Sequence, residues 1–292
     1  MKPAAFDYHT PATIDECTAL MAEYGDDAVV ISGGQSLVPL MRFRLAQPRH
    51  VISLREIGAP LDAIRLSQGS LYIGARVTYS ALQRSTEVFA EWPALPKAIE
   101  LVATPAVRSR GTVCGNLVNA DPASELPAVA LAMNARLHLR SANAERVVEA
   151  VDFFQGPYVT ARRSDELLTA VEFPARPRGE TFAILEISRL HGGFPLAGVA
   201  VAFVRGRGNS LSHIAVACFG VHAVQLRIPA AEVILESGGY TPTALAAACD
   251  AIDGAIEPHA DPFGSVAYRR SATRTLFERA MRQAWHSEND AP

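Results

Sequence analysis

Two short glycine-rich strings lie about eighty positions apart, and they constrain the chain more than anything else in it. The first is Ser32-Gly33-Gly34-Gln35-Ser36-Leu37. The second is Gly111-Thr112-Val113-Cys114-Gly115-Asn116, followed by Ala120-Asp121-Pro122-Ala123-Ser124-Glu125-Leu126-Pro127. A glycine lets main-chain N–H groups turn toward a ligand with no Cβ in the way, so two such loops can hold a dianionic pyrophosphate between backbone donors and hydroxyls. Val29-Val30-Ile31 reads as a short buried strand, which makes Ser32–Leu37 a loop leaving a strand end, where backbone donors are free to meet a ligand.

The balance of charge narrows the ligand classes. Lys+Arg of 27 against Asp+Glu of 30 gives a net −3, so no broad basic footprint for nucleic acid is present, and the pairs Arg162-Arg163 and Arg269-Arg270 read as solvated or interface residues. Cys17, Cys114, Cys218 and Cys249 have neither CxxC nor Cys/His spacing, which argues against a zinc site or a cysteine-ligated iron–sulfur cluster in this chain. Met1–Thr10 contains Asp7 and no apolar core of a leader, and the longest apolar stretch, Phe194–Val204, is too short to span a bilayer. The expectation is a cytoplasmic protein with no membrane span and reduced thiols.

Along the chain, Thr13-Ile14-Asp15-Glu16 has the form of a capping box opening a helix that Gly25 stops. Val51–Leu54 and Leu71–Gly74 read as strands, and Ala81–Phe89 and Trp92–Leu101 as helices, giving the first part alternating α and β elements. No G-x-G-x-x-G follows a strand and no G-x-x-x-x-G-K-[ST] occurs, so any phosphate is held by other means. Pro174, Arg176, Pro177, Arg178 and Gly179 concentrate chain breakers and mark a boundary between two domains. Beyond them, Phe182–Ile187, Val199–Val204 and Ile214–Phe219 are β-prone, with a turn at Arg205–Ser210. Ala230–Glu236, Thr243–Ile252 and a segment from about Val266 to Trp285 are helical.

These strings resemble the two FAD-binding signatures of the medium subunit of molybdenum hydroxylases, the group that includes carbon monoxide dehydrogenase and bacterial xanthine and aldehyde dehydrogenases. The resemblance runs nearly end to end, through Ile31–Leu45, Arg108–Ala132, Ser188–Gly198, Phe219–Glu232 and Tyr268-Arg269-Arg270. It implies an α+β chain. A two-part PCMH-type FAD-binding domain is expected over 1–176, with subdomains of about 1–55 and 56–176, then a C-terminal domain with a small antiparallel sheet and helices over 177–286, and a tail at 287–292.

The resemblance also implies the site. Main chain of Gly33, Gly34, Gln35, Ser36 and Leu37 with Ser32, and Gly111, Thr112, Gly115 and Asn116 from the second string, would meet phosphate and ribityl oxygens. Glu125 matches the carboxylate that binds ribityl hydroxyls, Asp121 a polar position of the same loop, and Phe194 an apolar or aromatic side chain against the isoalloxazine. Plainer readings stand beside these: a strand-ending turn for the first loop, a first-turn acid complementing a helix dipole for Glu125, and a core position for Phe194. Two departures from the family pattern are Cys114 where glycine is common, and Gly193 and Pro195 where an acid and a small residue are usual.

The implied activity is that of an oxidoreductase subunit with no catalytic acid, base or metal ligand of its own. It takes electrons from 2Fe-2S clusters of a small subunit and passes them from non-covalent FAD to an external acceptor, while molybdopterin sits in a large subunit. The expected assembly is a dimer of heterotrimers. A self-sufficient FAD oxidoreductase and a flavin-free structural subunit are the alternatives.

Overall fold

The computed structural model describes residues 2–287, so the tail expected at 287–292 lies, from 288 on, outside the described residues. The first unit is β1 (Asp7–His9), α1 (Ile14–Tyr24), β2 (Ala28–Ile31), α2 (Leu37–Arg42) and β3 (His50–Ser53). Its three strands form a parallel sheet in the order β1-β3-β2. Thr13 caps α1 by accepting from the Glu16 amide, and Glu16 reaches back to the amide of Ala12, so both ends of the capping box are used. Both loops that leave the parallel sheet at Ile31 and Ser53 lie on one edge, the carboxyl edge, where open α/β sheets bind ligands.

The second unit runs β4 (Ile64–Ser67), β5 (Ser70–Gly74), α3 (Tyr79–Gln83), α4 (Thr86–Glu91), α5 (Ala94–Leu101), α6 (Pro105–Arg108), α7 (Val113–Asn119), α8 (Glu125–Ala132), β6 (Arg136–Arg140), β7 (Glu145–Glu149), α9 (Ala150–Phe153), β8 (Phe154–Gly156), β9 (Val159–Thr160) and β10 (Leu167–Phe173). Five of its strands make an antiparallel sheet in the order β4-β5-β10-β6-β7. All eight residues of α8 are buried, as the absence of any polar stripe in Leu-Pro-Ala-Val-Ala-Leu-Ala requires.

The third unit begins past Pro174–Gly179 with β11 (Glu180–Ser188), β12 (Pro195–Arg205), β13 (Leu211–Phe219) and β14 (Leu226–Arg227), an antiparallel sheet in that order, then α10 (Pro229–Gly238), α11 (Pro242–Ala255) and α12 (Val266–His286). The architecture is α+β, with a parallel three-stranded unit and an antiparallel five-stranded unit ahead of a small antiparallel sheet and its helices. Ala183, Val199, Val201 and Phe203 pack on the helices, while Phe182, Ile184, Ala200, Ala202, Ala215, Ala217 and Phe219 join the core of the first two units. The four alanines on that inner face let α8 lie close against β12 and β13. The longest apolar run is thus explained: nearly all of β12 is buried on both faces. Among the described residues no helix is long and apolar enough to cross a membrane.

Arg269 departs from the solvated or interface role expected of it. It is buried, and its guanidinium donates to the carbonyls of Leu196 (2.5 Å) and Gly220 (3.0 Å) and to Asp261 (2.7 Å), tying α12 to the sheet. Five N–H donors on a planar fork suit such a multi-carbonyl site, which adjacent charges in a sequence do not reveal.

Candidate functional site

The first glycine string leaves β2 at the edge of the parallel sheet. Gly34 has φ +71°, in the left-handed region that favours glycine, and Gly33 presses its Cα against the second string: a Cβ there would lie 2.2 Å from the Arg110 carbonyl oxygen. The two strings are therefore in contact, and the glycine at 33 is required by that approach. Among the described residues the amides of Gly33, Gly34, Gln35 and Ser36 donate to no protein acceptor, a row of free donors suited to an anion. Ser32 turns its hydroxyl to the Ala75 carbonyl (3.1 Å), and the Gln35 side chain folds onto Gly33 O (3.2 Å). Ser36 stands at the start of α2 with its hydroxyl uncommitted to the helix.

The second string is stitched to the segment after β5 through Val113 N to Val77 O and Tyr79 N to Gly111 O. Thr112 spends its oxygen lone pair as the N-cap of α7, accepting from Gly115 N at 3.1 Å, and its O–H remains available to donate. Gly115 is needed at that cap, since a Cβ would come within 2.6 Å of Thr112 Oγ1. Cys114 is buried, with its thiol toward Ile73 O. Asn116 donates to Ser124 Oγ at 2.7 Å while its Oδ1 is buried without a donor, an acceptor that awaits a hydroxyl or N–H.

Asp121 and Glu125, which flank the following loop, are placed differently. Both oxygens of Asp121 are engaged inside the protein, Oδ1 by the Ala123 amide (3.0 Å) and Oδ2 by the Tyr158 hydroxyl (3.1 Å). Glu125 opens α8 and is buried. That burial pushes its carboxyl up to about 7, and Asp121 adds to the effect, while its own backbone amide opposes it. Phe194, at the tip before β12, is 78% exposed, so it is not a core residue.

Ser32 to Leu37, Gly111, Thr112, Gly115 and Asn116 all line one cavity of about 570 Å³, closed on the far side by Tyr158, Arg162 and Ser164. Asp121, Glu125 and Phe194 do not line it. A second cleft of about 830 Å³ shares Ser32, Gly33, Gly34, Gln35 and Thr112, so the first loop is the wall between the two. Tyr158, Arg162 and Ser164 escaped the sequence reading because β9 and its flanks reach the cavity only through the fold. The one available signal was Arg162, whose charge suits a phosphate. It holds the carbonyls of Arg163 and Glu166 (both 2.8 Å), and burial lowers its basicity. No group of His, Cys, Asp and Glu among the described residues forms a metal site.

The site fits FAD on chemical grounds. Free amides, the uncommitted Ser36 hydroxyl and the Thr112 O–H are donors of the kind a pyrophosphate needs, and the orphaned Asn116 Oδ1 is an acceptor of the kind a polyol needs. Comparison with known proteins agrees. Residues 4–176 match the family described as FAD binding domain in molybdopterin dehydrogenase, and residues 183–284 the CO dehydrogenase flavoprotein C-terminal domain. The carbon monoxide dehydrogenase medium chain of Hydrogenophaga pseudoflava is 35% identical over 285 residues, 98% of this chain and 99% of that one. Subunit alpha of the 6-hydroxypseudooxynicotine dehydrogenase complex of Paenarthrobacter nicotinovorans is 33% identical, covering 98% and 96%. A solved carbon monoxide dehydrogenase from H. pseudoflava, in a form lacking the Mo-pyranopterin moiety of the molybdenum cofactor, superposes with a TM-score of 0.94 at 36% identity, covering 98% and 99%. With both of its domains matched and relatives aligned end to end, the chain belongs to the FAD-binding medium subunits of the molybdenum hydroxylase family, as an oxidoreductase subunit.

Proposed function

We propose that this chain is the electron outlet of its complex. When bound, FAD supplies a carrier that accepts electrons one at a time from the 2Fe-2S clusters of a small subunit and delivers a pair to an external acceptor. The observation that carries the reading is the pair of touching glycine strings at the carboxyl edge of the parallel sheet, with a row of unpartnered amides between them. In this reading Ser32 to Leu37 and Gly111, Thr112 and Gly115 hold the pyrophosphate, with Asn116 and Glu125 on the ribityl chain. Asp121 fixes their loop, and Phe194 stands over the ring. Residues 1–176 form the FAD-binding domain, divided near 55, and 177–286 the domain that closes on it.

Relatives at 33–35% identity are named for substrates as unlike as carbon monoxide and 6-hydroxypseudooxynicotine, which supports a subunit that does not choose the substrate. The substrate is then selected by a large molybdopterin subunit, and the whole is a cytoplasmic dimer of heterotrimers. Arg42 and Arg44, beside exposed Phe43 and Leu45, offer a mixed basic and apolar surface for the iron–sulfur partner. Mixing the FAD-loaded chain with candidate N-heterocycles or aldehydes tests the assignment: flavin absorbance persists with the lone chain and bleaches once co-expressed partners are present. Bleaching by the lone chain overturns it.

A further inference from the structure

The inner face of the C-terminal sheet carries one residue that its surroundings do not explain. Phe182 and Ile184 point from β11 into the core shared with the FAD-binding domain, and the strand period of two puts Glu186 next in that row. Across the ladder Glu186 faces Gly198, and Gly198 faces Phe219. The Phe219 ring covers the place where a side chain at 198 would be, 2.0 Å from an ideal Cβ, so an aromatic wall stands beside the acid. Glu186 Oε2 is buried and, among the described residues, meets no donor.

Two further buried acceptors lie around the same loop. Gln225 donates its Nε2 to Asp121 O (2.5 Å) and Ser124 O (3.3 Å), which fixes the amide orientation and leaves Oε1 without a donor. With Gly220 N to Pro122 O (2.9 Å), it straps the C-terminal sheet onto the segment that ends in Glu125. Asn116 Oδ1, beside Ser124, is the third. Folded proteins leave few such atoms, and three of them around one loop call for a ligand that brings hydrogen-bonding groups of its own.

Glu125, on the facing helix, is the charged group that acts on Glu186, and burial together with that charge pushes the Glu186 carboxyl up to about 8. The shift favours the protonated form of Glu186, a carboxylic acid with one donor and one acceptor side by side. An imide offers the reverse arrangement, a ring N–H next to a carbonyl.

We propose that Glu186 is a further flavin-binding residue, a carboxylic acid supplied by the C-terminal domain that pairs with the imide edge of the isoalloxazine. The inference rests on the FAD reading of the site and adds to it a contact from the C-terminal domain.

The test compares FAD with N3-methyl-FAD, which lacks the imide N–H, on the full chain. Flavin fluorescence quenching gives the affinity, and the visible spectrum reports the ring's surroundings. The parent chain should bind N3-methyl-FAD about tenfold more weakly than FAD, the scale of one lost buried hydrogen bond. Glu186→Leu should bind FAD about tenfold more weakly with shifted absorption bands and should no longer distinguish the two flavins, whereas Glu186→Gln, which keeps a donor and an acceptor, should stay within about threefold of the parent. Equal binding of both flavins by the parent overturns the proposal whether or not the variants fold, and so does a Glu186→Leu protein with parental affinity and spectrum. Failure of the underlying FAD reading looks different: the parent itself then binds neither flavin.

Discussion

The two glycine strings use the same residue type for opposite ends. In the first, no acceptor among the described residues takes the amides from Gly33 to Ser36, and Gly33 lets this bare stretch approach the Arg110 carbonyl. In the second, the chain consumes its polar groups locally: Thr112 caps α7, Gly115 makes room for that cap, and Asn116 holds Ser124. The first loop leaves its amides without partners, while the second spends most of its polar groups on its own fold and keeps only the Thr112 O–H and Asn116 Oδ1 uncommitted. Such a division explains why neither string alone is diagnostic, since each becomes a site only by contact with the other.

Substitution at the glycines breaks the comparison most sharply. Gly33→Val forces a side chain into a backbone carbonyl 2.2 Å away, which can yield only by separating the loops. Gly115→Val meets a side-chain hydroxyl that can rotate aside at the expense of a cap. Overpacking of about 1–3 kcal/mol corresponds to roughly 5- to 150-fold in affinity, and Gly33→Val should fall near the upper end with Gly115→Val near the lower. Titration of each apoprotein with FAD checks the order. Equal losses would mean that both loops serve the ligand in the same way.

Much of this arrangement was legible in the sequence, and the boundary of legibility is physical. The helix opened by Thr13, the strand ahead of the first string and the β12–β13 hairpin are written in residues a few positions apart, so capping, period and turn chemistry reveal them. Arg269, Gln225 and Glu186 could not be read in that way. Each acts through a strand register or helix crossing that brings together segments tens of residues distant, and each looks like an ordinary surface polar residue when its neighbours in the chain are all that is known. The reason for Gly33 was also hidden: its permissive backbone suggests a close ligand, whereas its immediate neighbour is the other loop.

A second prediction separates the domain seam from the rest of the molecule by pH. Glu125 and Glu186 are pushed up to about 7 and about 8, so the folded apoprotein retains protons that the unfolded chain releases above its ordinary carboxylate range. Stability from these groups is fully present below that range and is lost as pH rises through 7 and 8. Glu166 and Glu172 are shifted the other way, so their contribution is lost only on acidification below about 4.5 and does not enter this window. Melting temperatures of the apoprotein should fall from pH 5 to pH 8, by about 2–4 °C for each kcal/mol lost. Combining Glu125→Gln with Glu186→Gln should flatten the slope. A slope unchanged in the double variant would place the titrating groups elsewhere.

The smallest effect is expected at Asp121, and it distinguishes scaffold from ligand contact inside the second string's own loop. Its two carboxylate oxygens already accept from the Ala123 amide and the Tyr158 hydroxyl, while Gln225 and Tyr158 hold the adjacent main chain through Asp121 O and Ala120 O. An Asp121→Asn side chain can still accept from the Ala123 amide with its remaining carbonyl oxygen, and the Tyr158 hydroxyl can rotate to accept from the new NH₂ group. What is lost is the charge assistance of two hydrogen bonds, of which the one to the half-exposed tyrosine is the weaker, so the expected cost is about 1 kcal/mol of stability or less. FAD affinity should stay within about twofold, because no oxygen of Asp121 is free for the cofactor and the loop keeps its backbone anchors. Removing this negative charge also relieves the Glu125 carboxyl, whose proton affinity Asp121 raises, so the fall of stability with pH should be smaller and should level off at a lower pH in Asp121→Asn than in the parent. A melt series across pH together with one FAD titration reads both effects. A loss of FAD affinity as large as that of Gly115→Val would show that Asp121 reaches the cofactor directly and that this loop, like the first string, is spent on the ligand.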